Sequence, residues 1–284
     1  MAHRSKWCLI GIPDHQGVLN VGGRLGAAHG PAAFRKAFKK FKGQDGVLES
    51  LALSTDLNPV KSSVEDNHAR AADLICQAHT EFGLSVVVGG GHDHGYSHLL
   101  GVSKALTSGK KAFRLGCINL DAHLDVRKPS PLISSGSPFF LALNSGLLDP
   151  GRFIEFGIQR QCNAPALWDY VEEKKVEVIP FEKIRNGKAV ASFNRALKKL
   201  STKCDAIVIS LDLDSVATAF APGVSAPVAE GFTPSELFEM MQISAKEKKV
   251  VSLGIFELCP EHDIGERTAL LAATAAYQFV CNKM

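Results

Sequence analysis

The sequence predicts an α/β fold around a mainly parallel sheet covered on both faces, and two observations carry that prediction. Short β-branched runs alternate with longer amphipathic stretches from one end of the chain to the other. No repeat of fixed period, low-complexity segment or Pro/Gly/Ser linker interrupts the alternation, so residues 1–284 read as one domain.

Taken in order, residues 7–12 form the first strand, and residues 31–41 follow as a helix whose Lys36, Lys39 and Lys40 make a solvated face. Residues 64–82 have a helical period and lead into a strand at 84–88, after which Gly89, Gly90 and Gly91 let the backbone turn sharply. A strand at 114–120 precedes a helix at 138–147, one at 153–158 precedes a helix at 164–173, and one at 176–179 precedes a helix at 190–200. The strand at 206–211 is followed by a helix at 234–247 with an explicit start: Thr233 caps, Pro234 takes the first helical position and Glu236 the third. Residues 250–256 are the last strand, and the apolar helix at 264–281 is expected to pack on the sheet.

Composition excludes several classes. Of 284 residues, 45% are hydrophobic and 21% charged, a globular balance with ample length for a core. No apolar run approaches the roughly 20 residues of a membrane span. A formal charge of +3 is too mild to argue for nucleic acid. The seven cysteines are odd in number and contain no CxxC pair, so neither a disulfide scaffold nor a zinc knuckle follows. The opening MAHRSKWCLIGIPDHQG has only a short apolar stretch before Pro13 and Asp14, a poor signal peptide, and cytoplasm is the expected compartment. No GxGxxG follows the first strand, and there is no Walker pattern.

Ligands of open α/β sheets collect beyond the carboxyl ends of the strands, and four strands deliver the same kind of residue there. The run at 84–88 leads to His92, that at 114–120 to Asp121, His123 and Asp125, that at 206–211 to Asp212 and Asp214, and that at 250–256 to Glu257. Ionised carboxylates crowded into one pocket repel, so the cluster is costly unless cations hold it. His92, Asp121, His123, Asp125, Asp212 and Asp214 make two imidazoles and four carboxylates, and six such donors suit a pair of ions about 3.5 to 4 Å apart with bridging carboxylates. Oxygen-rich ligation with some imidazole and no thiolate favours Mn2+ over Zn2+, and a metal-bridging hydroxide is the expected nucleophile. Taken singly, a DxD or a GGGH after a strand is more often a turn or a cap. His94 and His98 flank a helix start and are expected as supporting or surface groups, and His15, His29, His68, His79 and His262 lack a ligand's spacing.

These residues resemble the ureohydrolase family of arginase, agmatinase and formimidoylglutamase. GGGHD (89–93), DAHLD (121–125) and SLDLD (210–214) look like its three metal motifs, in its order and over nearly the whole chain. The formimidoylglutamase branch is the closest, on SSGSPFF (134–140), GIQRQCNA (157–164) and APGVSAP (221–227). Ser135 stands where arginases and agmatinases typically carry histidine, and Asp93 where the branch usually has glutamate.

The resemblance implies an arginase-like three-layer αβα sandwich around an eight-stranded parallel sheet. It also implies two Mn2+ ions, one on His92, Asp121, Asp125 and Asp212, the other on Asp121, His123, Asp212 and Asp214. The implied reaction is hydrolysis of N-formimidoyl-L-glutamate to L-glutamate and formamide, a step of histidine degradation. Asp125 would orient the nucleophile and pass a proton to the leaving amine, and Glu257 would face the amidinium. A substrate with two carboxylates needs cationic or amide partners, for which Arg24, Arg127, Arg160 and Asn163 are candidates. Alternatives are another amidine or guanidino substrate (arginine, agmatine or guanidinobutyrate), a one-zinc deacetylase of related fold, or a metal-binding protein without turnover. Family members often assemble, so a homo-oligomer is a further expectation.

Overall fold

The β-branched runs become strands, and all but the half-buried edge strand at 177–180 are buried on both faces. The computed structural model describes residues 6–43, 46–60, 63–107 and 113–283; residues 1–5, where the stretch weighed above as a signal peptide begins, lie outside the described residues. The strands are β1 (Trp7–Ile12), β2 (Leu51–Asp56), β3 (Ser85–Gly89), β4 (Leu115–Leu120), β5 (Phe153–Ile158), β6 (Glu177–Pro180), β7 (Ala206–Asp212) and β8 (Val250–Phe256). They form one eight-stranded sheet in the order β2-β1-β3-β8-β7-β4-β5-β6, every pairing parallel. The helices are α1 (Gln16–Asn20), α2 (Gly30–Phe38), α3 (Val64–Phe82), α4 (His94–Thr107), α5 (Pro138–Asn144), α6 (Pro165–Lys174), α7 (Phe181–Ile184), α8 (Ala189–Ser201), α9 (Pro234–Lys246) and α10 (Arg267–Lys283).

Strand side chains alternate between faces, and each face has its own core. Val86 and Val88 point into one, with Phe34 and Phe38 of α2, Leu197 of α8, Met241 of α9 and Phe279 of α10. Val87 points into the other, with Ile75 of α3, Val102 of α4, Phe139 of α5 and Val171 of α6. Helices cover both faces of the sheet, which makes the three layers of an αβα sandwich. The predicted capping box is present: the Thr233 hydroxyl accepts from the Glu236 N–H, and the Glu236 carboxylate accepts from the Thr233 N–H.

Four elements were not predicted from the residues: the one-turn helices α1 and α7, too short to show a period, and β2 and α4. β2 lies at the sheet edge and its residues alternate between half-buried and exposed, so it has no apolar run to announce it. α4 begins at His94, inside a run of glycine and histidine that hides its period. The four strands that end in ionisable residues, β3, β8, β7 and β4, are consecutive at the centre of the sheet. Close approach after β3 requires glycine: a Cβ on Gly90 would lie 1.8 Å from the Asp14 carbonyl oxygen, which accepts the Gly91 N–H at 3.0 Å.

Candidate metal centre

Neighbouring β4 and β7 end in the same local device. Asp121 Oδ1 accepts the His123 N–H at 2.7 Å, and Asp212 Oδ1 accepts the Asp214 N–H at 2.8 Å. These Asx turns leave the second oxygen of each aspartate outside the turn, that of Asp121 accepting an Asn119 N–H and both lying near His92 Nδ1. Farther along, Asp125 and Glu257 adopt left-handed backbone, with φ of +48° and +65°, and are held there although neither is glycine.

Two groups of donors result. Around one point stand His92, Asp121, Asp125 and Asp212; around another stand Asp121, His123 and Asp214. Oδ2 atoms of Asp121, Asp125 and Asp212 lie 3.2, 3.0 and 3.0 Å from His92 Nδ1. His123 Nδ1 lies 3.0 Å from Asp214 Oδ2 and 3.5 Å from Asp121 Oδ1. Donors about 2.1 Å from one ion, at right angles to each other, are about 3 Å apart, so these spacings fit ligation. Asp121 belongs to both groups, whereas the structure gathers Asp212 only into the first.

The donors fit a cation on a second count. His92 Nδ1 and Asp214 Oδ1 are buried without a hydrogen-bond partner. His92 Nε2 is 2.9 Å from Ser210 Oγ; a proton donated there leaves the Nδ1 lone pair for an ion. Burial lowers the His92 pKa, but Asp121, Asp125 and Asp212 outweigh it and hold the imidazole well above its ordinary value. His123 is raised in the same way, burial opposing and Asp214 and Asp121 prevailing. Burial and the Asp121 charge push Asp125 up to about 6, and burial with the Asp212 charge pushes Glu257 up to about 8. The pocket demands positive charge, and a divalent ion supplies it without protons.

A cleft of about 140 Å³ opens above the donors, with His123, Asp125, Arg127, Ser225 and Glu257 among its lining residues. A wider cleft of about 890 Å³ beside Asp14 and Asn67 contains none of the donors. Of the five predicted substrate contacts, Arg127 and Glu257 line the smaller cleft, and Arg24, Arg160 and Asn163 are not among its lining residues. A Cβ on Gly136 would lie 3.6 Å from both Arg127 Cζ and Asp125 Oδ1, so the two groups flank one glycine. Arg24 is committed to the carbonyls of Ser225, Pro222 and Val224. Arg160 pairs with Glu182 at 3.0 Å and lies over Trp168. Asn163 accepts the Leu124 N–H and donates to the Ala122 and Gln159 carbonyls, which fastens the loop carrying His123. Glu257 accepts the His92 N–H at 2.7 Å on one oxygen and the Ser225 hydroxyl on the other.

Supporting residues went unpredicted. Asn119, Ser210 and Glu155 are polar residues inside fully buried strands, and their signal was that misplacement within INL, ISL and FIEF. His94 and His98 are both buried: His94 lies 3.2 Å from Asp14 and His98 lies 2.6 Å from Ser252.

Fold and donors together define a class, the metal-dependent hydrolases built on an αβα sandwich. The chain belongs to the arginase family, whose family model matches residues 5–281. It is similar to a formimidoylglutamase of Staphylococcus carnosus, 31% identical over 274 residues, covering 96% of this chain and 85% of the relative. A Hahella chejuensis formimidoylglutamase is 33% identical over 273 residues, covering 94% and 82%. Among solved structures, Trypanosoma cruzi formiminoglutamase with Mn2+ superposes with a TM-score of 0.85 at 28% identity, covering 99% of this chain and 95% of that one. The fold is the arginase-like sandwich, and no helix among the described residues is long and apolar enough to cross a membrane.

Proposed function

We propose that the protein hydrolyses N-formimidoyl-L-glutamate to L-glutamate and formamide, a step of histidine degradation, at a pair of Mn2+ ions. The observation that carries this reading is the cleft itself: an anionic donor set at its base, Glu257 beside it, and at its rim Arg127, which makes no ion pair among the described residues. The formimidoylglutamase relatives support it over other amidines.

His92, Asp121, Asp125 and Asp212 would hold one ion, and Asp121, His123 and Asp214 the other, a set to which the family resemblance adds Asp212. When bound, the ions supply a water made nucleophilic near neutral pH. The chain's own groups do the rest. Glu257 lies buried at the cleft, and an amidinium brought beside it gains a charge-assisted contact while favouring the ionised carboxylate. Arg127 offers a planar fork to a substrate carboxylate, which orients the formimidoyl group toward the donors. Asp125 has one oxygen among the donors and the other toward Gly136, where it accepts a proton from the attacking water and returns it to the leaving amine. The amidine carbon gains oxygen, its bond to the glutamate nitrogen breaks, and formamide and L-glutamate leave.

The test is hydrolysis by Mn2+-loaded protein of N-formimidoyl-L-glutamate beside arginine, agmatine and guanidinobutyrate, with formamide and urea both assayed. Formamide with little urea is expected. Urea as the main product would overturn the substrate and retain the metal centre.

A further inference from the structure

A row of polar residues crosses the buried sheet two positions before the donors. Glu155 on β5 is in register with Asn119 on β4, and Asn119 with Ser210 on β7. Each of the last two supports a donor: Ser210 Oγ contacts His92 Nε2, and the Asn119 amide donates to Asp121 Oδ2 at 3.1 Å. The second Asn119 N–H goes to Glu155 Oε2 at 3.0 Å. Both N–H groups of that amide are therefore used, while Asn119 Oδ1 and Glu155 Oε1 are left buried without partners. Glu155 is wholly buried and has no cation beside it among its described contacts.

One arrangement resolves both orphans. We propose that Glu155 is an uncharged carboxylic acid whose O–H donates to Asn119 Oδ1, closing a two-point acid–amide ring that aims the other Asn119 N–H at Asp121. Glu155 is then a positioning residue, acting through Asn119 on the carboxylate common to both donor groups. The reversed amide would turn its oxygen toward the Asp121 carboxylate, which has no proton to give, so Asp121 fixes the orientation and the acid closes the ring on the other side. The electrostatics agree: burial, and the charges of Asp121 and Asp125, hold the Glu155 carboxyl well above its usual range despite the Asn119 hydrogen bond. A carboxylate bound to metal and fixed by such a partner keeps one orientation, and removing partners of this kind commonly costs about 10- to 100-fold in metal affinity.

The inference rests on Asp121 as a shared metal ligand and not on the identity of the substrate. The experiment is an infrared difference spectrum of Mn2+-loaded wild type against Glu155→Gln, beside Mn2+ titrations of metal-free wild type, Glu155→Gln and Glu155→Leu. We expect the wild type alone to show the carbonyl band of a protonated acid. Glutamine can close the same ring, so E155Q should hold Mn2+ within about threefold of wild type, and E155L about 10- to 100-fold more weakly. A carboxylate band in its place, or E155Q as weak as E155L, would overturn the proposal. Should E155L not fold, the band and the E155Q titration still decide. Wild type that binds no Mn2+ would remove the metal reading instead, and the spectrum would still report the state of Glu155.

Discussion

Two of the buried histidine clusters flank strands β3 and β8, one near the strands' amino ends, formed by His79 of α3 and His98 of α4, and one beyond their carboxyl ends. In the first, His79 Nδ1 lies 2.9 Å from Ser85 Oγ, His98 Nε2 lies 2.6 Å from Ser252 Oγ, and the two serines are 2.7 Å apart. No carboxylate enters, and burial pushes His79 down to about 4 and His98 down to about 3. In the second, equally buried His92 faces three aspartates and is raised. Burial is common to both, so the company of carboxylates is what separates an imidazole that packs from one that can ligate.

The severest way to break that contrast is Asp121→Asn, which removes charge from both donor groups at once. Activity should fall by about three orders of magnitude or more, with Mn2+ stoichiometry measured on the same protein falling with it. Unchanged stoichiometry would remove Asp121 from the metal centre.

The same substitution placed in each cluster should then cross over. His92→Asn should weaken Mn2+ binding by about 100-fold or more while leaving the metal-free protein folded. His98→Asn should cost about 1 to 3 kcal/mol of stability by chemical denaturation and leave Mn2+ affinity unchanged.

Stability against pH sharpens the contrast because the clusters act with opposite sign. Glu257 is raised from 4.5 to about 8, so metal-free folded protein binds more protons than unfolded protein between those values, and stability falls as pH rises through that window. His79 and His98 are lowered from 6.5 to about 4 and about 3, so folded protein binds fewer protons there, and stability falls as pH drops below 6.5. Each group contributes a slope of about 1.4 kcal/mol per pH unit at most. Denaturation midpoints from pH 4 to 9 should show both limbs in the metal-free protein, with saturating Mn2+ reducing only the alkaline one, to which the buried acid of Glu155 still contributes.

The smallest effects come from the arginines. Arg127→Gln should raise KM by about 10- to 100-fold with kcat little changed, the signature of lost ground-state binding to a carboxylate. Arg160→Ala breaks an exposed pair with Glu182 and should cost less than about 1 kcal/mol, with KM unmoved.

The donors were legible in the sequence because the chemistry sits at fixed steps past strand ends, where a period of two and a following turn decide direction. The central strands were legible because burial on both faces demands uninterrupted apolar residues. β2 was not, since an edge strand half open to water needs no such run. Nor could spacing sort Arg24, Arg127 and Arg160, because a long side chain on a loop can reach a carbonyl, a cleft or an aromatic ring with equal ease. Asn119 and Glu155 escaped for another reason: they lie on different strands, and only the register of β4 against β5 makes them partners.

The contiguity of β3, β8, β7 and β4 has a consequence for how a cation is captured. Donors on separate mobile loops would have to be immobilised at the moment of binding, and that loss of freedom would be charged against affinity. Here the donors follow adjacent strands whose backbone ladder is already formed, and the short turns bearing them are pinned by their own hydrogen bonds. The cage is preorganised, so the free energy of coordination is retained as affinity rather than consumed in ordering the chain.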